Sequence, residues 1–531
     1  MTAVLVISLA APSATAQSGV LSSSGGTSGS SLSSAAQDHR GPEDPEMATP
    51  MTKEVLFTEG FDDVPNPAKF THEMPAGWES TTTGVTSGEE RWNGWTLATI
   101  RDWTWASGTD MRHYFTRGHD QVAIIDSRQQ RLNGTDAMAA SLGTPDIDVS
   151  GRDRVMLEFD SNYRQGGPEQ YAEVSVSFDG VSQEVLRLDA DRLSSHKAIE
   201  LNVPEGASTM TATFTYSNGN DDWFWAVDNV AVTSPLGDVS GEPQAVIDII
   251  SDIQGDIPDY EDAVSQLNAL PDPAGALVIN GDEVDTGARE LWDEFNAATA
   301  RTPHRSGTTI LTAGNHELYG PEGFETYNDR FLEYSGQDNA WSETVIDGVP
   351  LLTINSEYYS DVDRGGKEPF VRLSREQLDW LDSRLAHWET EGTPALVFTH
   401  YVLPQTVSMS HSAWYQNDFE DLAALSEVLN KYNNIIMFTG HSHASILHQN
   451  DWWGMRRYDG TGAAGRQGFP VVNTGAILNA YLPDGDHDEA ILDGAASSGL
   501  RAKVYSDRVR VEAWDFVTGE IVKVQDFPRA L

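Results

Sequence analysis

Between residues 244 and 440 the chain repeats one grammar: an apolar run too short for a helix, a polar stretch, then a longer segment with apolar residues at helical spacing. The runs are "AVIDIIS", "GALVIN", "TTILTAG", "VPLLTIN", "PALVFTH" and "NIIMFTG". Such a run has no face to give to water, so it predicts a strand covered on both sides. The intervening "YEDAVSQLNAL", "ARELWDEFNAATA", "REQLDWLDSRLAHW" and "DLAALSEVLNKY" carry apolar residues three and four apart and predict the covering helices. An α/β domain over 244–531 follows. The tail "RAKVYSDRVRVEAWDF" returns to period 2 and predicts a hairpin or edge strands.

The segment 51–236 reads differently. "VMLEFDS", "AEVSVSFDG" and "TMTATFTYS" alternate apolar and polar residues, placing Val155, Leu157 and Phe159, then Val174, Val176 and Phe178, on single faces. "DDWFWAVDNVAV" closes the region with Trp223 and Trp225 expected on one face, and Trp92, Trp95, Trp103 and Trp105 form an earlier aromatic group. This pattern predicts an all-β, jelly-roll-like sandwich. It offers no catalytic constellation. Carbohydrate stacked on exposed aromatic rings is its candidate partner, and a structural Ca²⁺ its candidate ion. The acidic stretch "DGDHDE" at 484–489 lacks the spacing of a calcium loop and reads as a surface turn.

Ahead of both domains, residues 1–16 hold an apolar stretch followed by Ala14-Thr15-Ala16, the small-x-small pattern of a cleaved leader, although no Lys or Arg precedes it. Residues 17–50 are a Ser/Gly-rich linker. We expect a secreted protein. Cysteine is absent, which removes disulfides, thiol nucleophiles and Cys-based metal sites, so any metal must be held by N and O donors. A formal charge of −47 excludes nucleic acid bound through a basic surface, and no apolar run is long enough to span a membrane.

Five of the apolar runs end in residues able to bind a metal: "SDIQGD", "NGDEVD", "GNHE", "THY" and "GHSH". Sites in α/β sheets lie beyond the carboxyl ends of the strands, so five ends would deliver their side chains to one cleft. A mixture of Asp, Asn, Gln and His suits a pair of divalent or trivalent transition ions. A single such His reads more readily as a hydrogen-bonded loop residue.

Taken together, these blocks resemble those of the calcineurin-like metallophosphoesterases, in a secreted bacterial form with an N-terminal sandwich module. The resemblance implies a β-sandwich core flanked by helices. It further implies that Asp252, Gln254, Asp282 and His443 hold one metal and that Asp282, Asn315, His400 and His441 hold the other, with Asp282 bridging. His316 would face the phosphoryl group beside Asn315, as stabiliser or general acid. Asp285 would hydrogen-bond the imidazole of His316 and keep it charged, or else be an ordinary helix N-cap.

Position 254 is commonly His in this family. Gln offers a harder, neutral amide oxygen, which favours Mn²⁺ over Zn²⁺ among the candidate ions Mn, Fe and Zn; the alternative is a tolerated substitute with no effect. The implied reaction is hydrolysis of a phosphate ester or phosphoanhydride, small or polymeric, by a hydroxide bridging the two ions. His411, Trp414 and Tyr415 are candidates for the pocket wall. The competing reading is a carbohydrate-binding or adhesion protein whose α/β domain is a non-catalytic scaffold.

Overall fold

Strict alternation makes the N-terminal strands. Along Tyr171–Phe178 every second residue is buried, so Ala172, Val174, Val176 and Phe178 turn inward. Phe214 on Thr209–Gly219 sits directly opposite Val174. The computed structural model describes residues 54–131, 136–359, 371–416, 418–456, 468–485 and 488–529; the expected leader and the linker lie outside them.

Two antiparallel sheets of six strands face each other in this region. One runs Arg192–Asn202, Arg154–Tyr163, Phe224–Ser234, Gln121–Asp126 and Thr96–Thr99, with Glu54–Glu59 also on Phe224–Ser234. The other runs Glu79–Thr83, Met138–Gly143, Thr209–Gly219, Tyr171–Phe178 and Val181–Leu188, with the short Ile147–Asp148. Phe159 meets Phe214 edge-on at 5.0 Å between them, and Trp95 meets Trp225 at 5.4 Å.

Trp223 does not share the face of Trp225. The strand begins at Phe224, so Trp223 is not held to its pleat; it packs beside Phe224 on the other face, with the Arg164 guanidinium 3.6 Å above its ring. Trp92 and Trp103 are buried in that smaller cluster, while Trp105 is 85 % exposed.

From Ala245 onward the central strands are buried on both faces, because two sheets pack together and helices cover both outer sides. The first sheet runs Thr309–Leu311, Ala276–Ile279, Ala245–Ile250, Ser498–Val504, Arg508–Asp515 and Glu520–Pro528. The second runs Ser342–Ile346, Val349–Thr353, Ala395–Phe398, Ile435–Thr439, Phe469–Asn473 and Trp453–Arg456. Ile247, Ile249 and Val278 of one sheet meet Leu351, Leu396 and Phe398 of the other.

Helices Ile257–Ala269 and Arg289–Arg301 bury Tyr260, Val264, Trp292 and Phe295 against the outer side of the first sheet. Arg375–Thr390 and Leu422–Leu429 bury Leu378, Leu381, Leu425 and Val428 against the second. Within each sheet the strands that end in polar motifs run parallel. Three of these ends belong to the first sheet and two to the second. The tail forms the expected hairpin of Ser498–Val504 and Arg508–Asp515, and Ser498–Val504 also pairs antiparallel with Ala245–Ile250 inside the first sheet, where it buries Leu500, Ala502 and Val504.

Candidate metal centre

At the carboxyl ends of these strands the backbone turns sharply. Asp252, Gln254, Asp282, His441 and His443 all have positive φ, at 54°, 44°, 56°, 67° and 49°. Residues with a Cβ rarely adopt this region and do so mostly where surrounding structure enforces it. Enforcement here comes from hydrogen bonds between the loops. The Asp252 and Gln254 N–H groups donate to the carbonyls of Gly281 (3.0 Å) and Asp282 (2.8 Å), and the Gly440 N–H to that of His400 (2.8 Å). Gly281 and Gly314 permit the close approach: a side chain at the first would collide with the ring of His400, one at the second with the Asp282 carboxylate.

The loops bring together two groups of three potential ligands that share one member. Ligand atoms of Asp282, His400 and His441 lie within 4.8 Å of one another, and so do those of Asp252, Asp282 and His443. His400 Nε2 is 3.2 Å from Asp282 Oδ2 and 3.9 Å from Asp252 Oδ1, and His443 Nε2 is 3.2 Å from Asp252 Oδ1. The far nitrogens are committed elsewhere: His400 Nδ1 donates to the Asn280 carbonyl (2.8 Å) and His443 Nδ1 to that of Asn479 (3.1 Å). Such bonds fix the tautomer that presents Nε2 as an acceptor to a cation.

Two buried atoms make the donor set a fit for metal. Among the described residues, His400 Nε2 and Asn315 Oδ1 have no hydrogen-bond partner, a costly condition for a buried polar atom. The Asn315 amide nitrogen donates to the Tyr319 hydroxyl at 2.6 Å. Gln254 reaches the same centre, its amide nitrogen 3.1 Å from both Asp282 Oδ2 and His443 Nε2. A half-turn of the amide exchanges nitrogen for oxygen there, the atom a cation requires.

His316 stands at the open side, its side chain 17 % exposed. Its backbone N–H donates to Asp282 Oδ1 at 3.0 Å and its Nδ1 to the Asp285 carbonyl at 2.8 Å. The Asp285 carboxylate lies 3.6 Å from Nδ1, so the contact at hydrogen-bond distance is to the main chain; the following helix has Ala288 as its N-cap. With only the protein's own charges counted, burial opposes charging of His316, but Asp282 and Asp285 prevail and its pKa is pushed up to about 9. Burial is outweighed likewise at His400, where Asp282 and Asp252 raise the pKa to about 10. At His441 burial and the charge of His400 depress it to about 3.

Two residues at the centre carried no assigned role in the sequence reading. Glu317, fully buried, accepts the N–H groups of Gly314 (2.6 Å), Asp282 (3.0 Å) and Val284 (3.2 Å), tying the "GNHE" and "NGDEVD" loops together. Its place inside "GNHE" was the available signal. Asp418, also buried, has Oδ2 3.5 Å from His441 Nε2, and nothing in its surroundings in the sequence marks it. Of the candidate wall residues, Tyr415 packs edge-on to His441 at 5.4 Å, whereas His411 packs on Tyr114 of the sandwich; the Trp414 side chain and residues 486 and 487 of "DGDHDE" lie outside the described residues. On the sandwich, Asp62, His119 and Asp120 also bring ligand atoms within 4.8 Å, but both carboxylates are exposed and Asp62 already accepts the Gln121 N–H at 2.9 Å.

The model of the calcineurin-like phosphoesterase family matches residues 245–445. The chain carries a domain of that family, whose members are metallophosphoesterases with two metal ions. Among solved structures, a dimetal phosphatase from Danio rerio is similar at 14 % identity over 54 % of this chain and 100 % of its own, with a TM-score of 0.39. A purple acid phosphatase from yellow lupin seeds (Lupinus luteus) is similar at 12 % identity over 78 % of this chain and 82 % of its own, TM-score 0.38. An adhesin domain of Lys-gingipain from Porphyromonas gingivalis is similar at 12 % identity over 34 % of this chain and 97 % of its own, TM-score 0.22. No curated protein matches the sequence.

Proposed function

We propose that this chain hydrolyses a phosphate ester or phosphoanhydride at a centre of two transition-metal ions held by Asp252, Gln254, Asp282, Asn315, His400, His441 and His443. The observation that carries this reading is the sharing of Asp282 between two groups of Asp and His ligands, beside buried His400 Nε2 and Asn315 Oδ1 atoms left without a hydrogen bond among the described residues. When bound, a pair of cations supplies an activated water and neutralises charge building on phosphorus.

The chain's own residues do the rest. Asn280 and Asn479 carbonyls orient the imidazoles of His400 and His443. The Asp285 carbonyl takes the Nδ1 edge of His316, which leaves Nε2 as the edge that meets a phosphoryl or departing oxygen. Asn315 and His316 together form the substrate-facing side. The neutral amide of Gln254 supports Mn²⁺ as the preferred ion at its position. Export of the protein is supported by the leader-like residues 1–16 and the linker after them.

The test is a turnover screen of phosphomonoesters, phosphodiesters and nucleoside diphosphate conjugates with added Mn²⁺, Fe²⁺ or Zn²⁺, paired with His316→Ala. The variant should lose about 10²- to 10⁴-fold in kcat, the usual scale for a positioned acid, and keep its metals. No hydrolysis of any class by the metal-loaded wild type would sink the reading; loss of metal in the variant would sink the role of His316.

A further inference from the structure

None of that chemistry calls on the sandwich, yet sandwich residues grip the loop that packs against His441. Asp451, a buried residue next to the strand Trp453–Arg456, joins the two. Its Oδ2 accepts the hydroxyl of Thr116, from the sandwich, at 2.5 Å; its Oδ1 accepts the hydroxyl of Ser408, from the phosphoesterase domain, at 2.8 Å; and its carbonyl accepts the Ser408 N–H at 2.7 Å. Thr116 is itself held 2.8 Å from Ser194 Oγ, on a sandwich strand. A buried carboxylate shared by two hydroxyl donors is a strong, directional joint.

Three residues beyond Ser408 the loop is gripped again. The ring of His411 packs on Tyr114 at 4.3 Å and edge-on to His113 at 4.9 Å, and the Tyr114 hydroxyl donates to the Gly485 carbonyl. Further on, the same loop delivers Tyr415, 5.4 Å from the His441 ring and donating to Glu489 Oε2 at 2.9 Å, and Asp418, 3.5 Å from His441 Nε2. Internally the loop is under tension: Gln405 and Met409 are left-handed at φ 55° and 66°, the latter a buried apolar residue for which this conformation is rare. Bonds within the loop, Thr406 N–H to Ser410 Oγ at 2.9 Å and Ser412 N–H to the Met409 carbonyl at 2.8 Å, share with these outside contacts the work of holding that shape.

We propose that the sandwich is a positioning element of the metal centre: Thr116 and Tyr114 set the course of the loop that carries Ser408, His411 and Tyr415, the loop sets His441, and cation affinity on the His441 side depends on sandwich residues that touch no cation. This rests on the dinuclear reading above. It makes the N-terminal region a working part of the phosphoesterase rather than an appended module.

The test reads metal binding, without substrate. The full chain, stripped of metal, is titrated calorimetrically with Mn²⁺ as wild type, Thr116→Val, Thr116→Ser, Tyr114→Ala and Ser408→Ala, with near-ultraviolet circular dichroism to verify folding. Thr116→Val is expected to bind one ion as wild type does and the other roughly tenfold more weakly, the lower end of what outer partners of a ligand contribute. Thr116→Ser should restore the affinity, and Tyr114→Ala should weaken the same ion. If Thr116→Val fails to fold, Ser408→Ala removes the hydroxyl arm of the joint from the loop side, leaving the main-chain bond to the Asp451 carbonyl, and must weaken the same ion. Wild-type affinity for both ions in the folded Thr116→Val or Ser408→Ala variant overturns the proposal. A wild type that binds no Mn²⁺ instead overturns the dinuclear reading, which the variants do not address.

Discussion

Asp282 faces His400 Nε2 with one carboxylate oxygen, at 3.2 Å, and takes the backbone N–H of His316 with the other, at 3.0 Å. One side chain thus belongs to both groups of potential ligands and also fixes His316, the residue proposed above to meet the phosphoryl group. Its removal should not resemble the loss of any other single ligand.

Asp282→Asn is therefore expected to lose both ions, whereas His443→Ala, which touches only the group containing Asp252, should lose one. Elemental analysis of metal-loaded, desalted protein measures this. Equal metal content in the two variants would show that Asp282 does not bridge.

Gln254 tests the choice of metal. Mild chelation should remove one ion more readily than the other, with activity restored by Mn²⁺ better than by Zn²⁺. Gln254→His should tighten the labile position and shift preference toward Zn²⁺, because imidazole is the softer donor. Titration of both proteins with each metal decides the matter; unchanged affinity and preference would mean that the amide, despite lying 3.1 Å from Asp282 and His443, is not a ligand or that its identity does not matter.

Much of this was legible in the sequence because the chemistry sits where local patterns break. Apolar runs such as "ALVI" and "IIMF" end in Asp282, His441 and His443, so strand and site announce each other. Apolar runs say nothing, however, about which strands pair, and the division of the five ends between two sheets was not readable. Nor were Glu317 and Asp418, whose importance lies in partners brought together only by folding. The Thr116 to Asp451 contact joins residues 335 positions apart, and neither lies in a recognisable motif.

Glu317 should matter for stability before it matters for rate. Glu317→Gln replaces an acceptor oxygen with a donor among three backbone N–H groups, and each buried donor left unsatisfied costs about 1–3 kcal/mol. We expect a loss of about 3 kcal/mol in denaturant unfolding of the metal-free protein. A loss below about 1 kcal/mol would mean the loops hold each other without it.

His196 should give the joint between the sandwich and Trp453 a pH dependence. Its Nδ1 lies 3.0 Å from Asp160 Oδ1 and its Nε2 3.7 Å from Glu158 Oε1, with the ring 5.2 Å from that of Trp453. Burial opposes its charging, as does Arg117, but Asp160 and Glu158 outweigh them and the pKa is raised. The resulting stability is full below the unfolded value of about 6.5 and fades as pH climbs through the folded one. The melting-temperature advantage of wild type over His196→Gln should be largest near about pH 6 and shrink toward alkaline pH; an advantage that grows instead would contradict the assignment.

Five side-chain-bearing residues at the centre hold left-handed backbones, and each such conformation costs roughly 1–2 kcal/mol. Their sum is comparable with the whole net stability of an ordinary domain, about 5–15 kcal/mol. Glycine at any of the five would relieve the chain and discard the chemistry, so selection for durability and selection for catalysis pull these positions in opposite directions. Cations bound at the proposed centre would lend the native state what the backbone gives up. On the proposed reading, metal supply would then govern the lifetime of each molecule as well as its turnover, and a metal-poor medium would expose the protein to proteolysis.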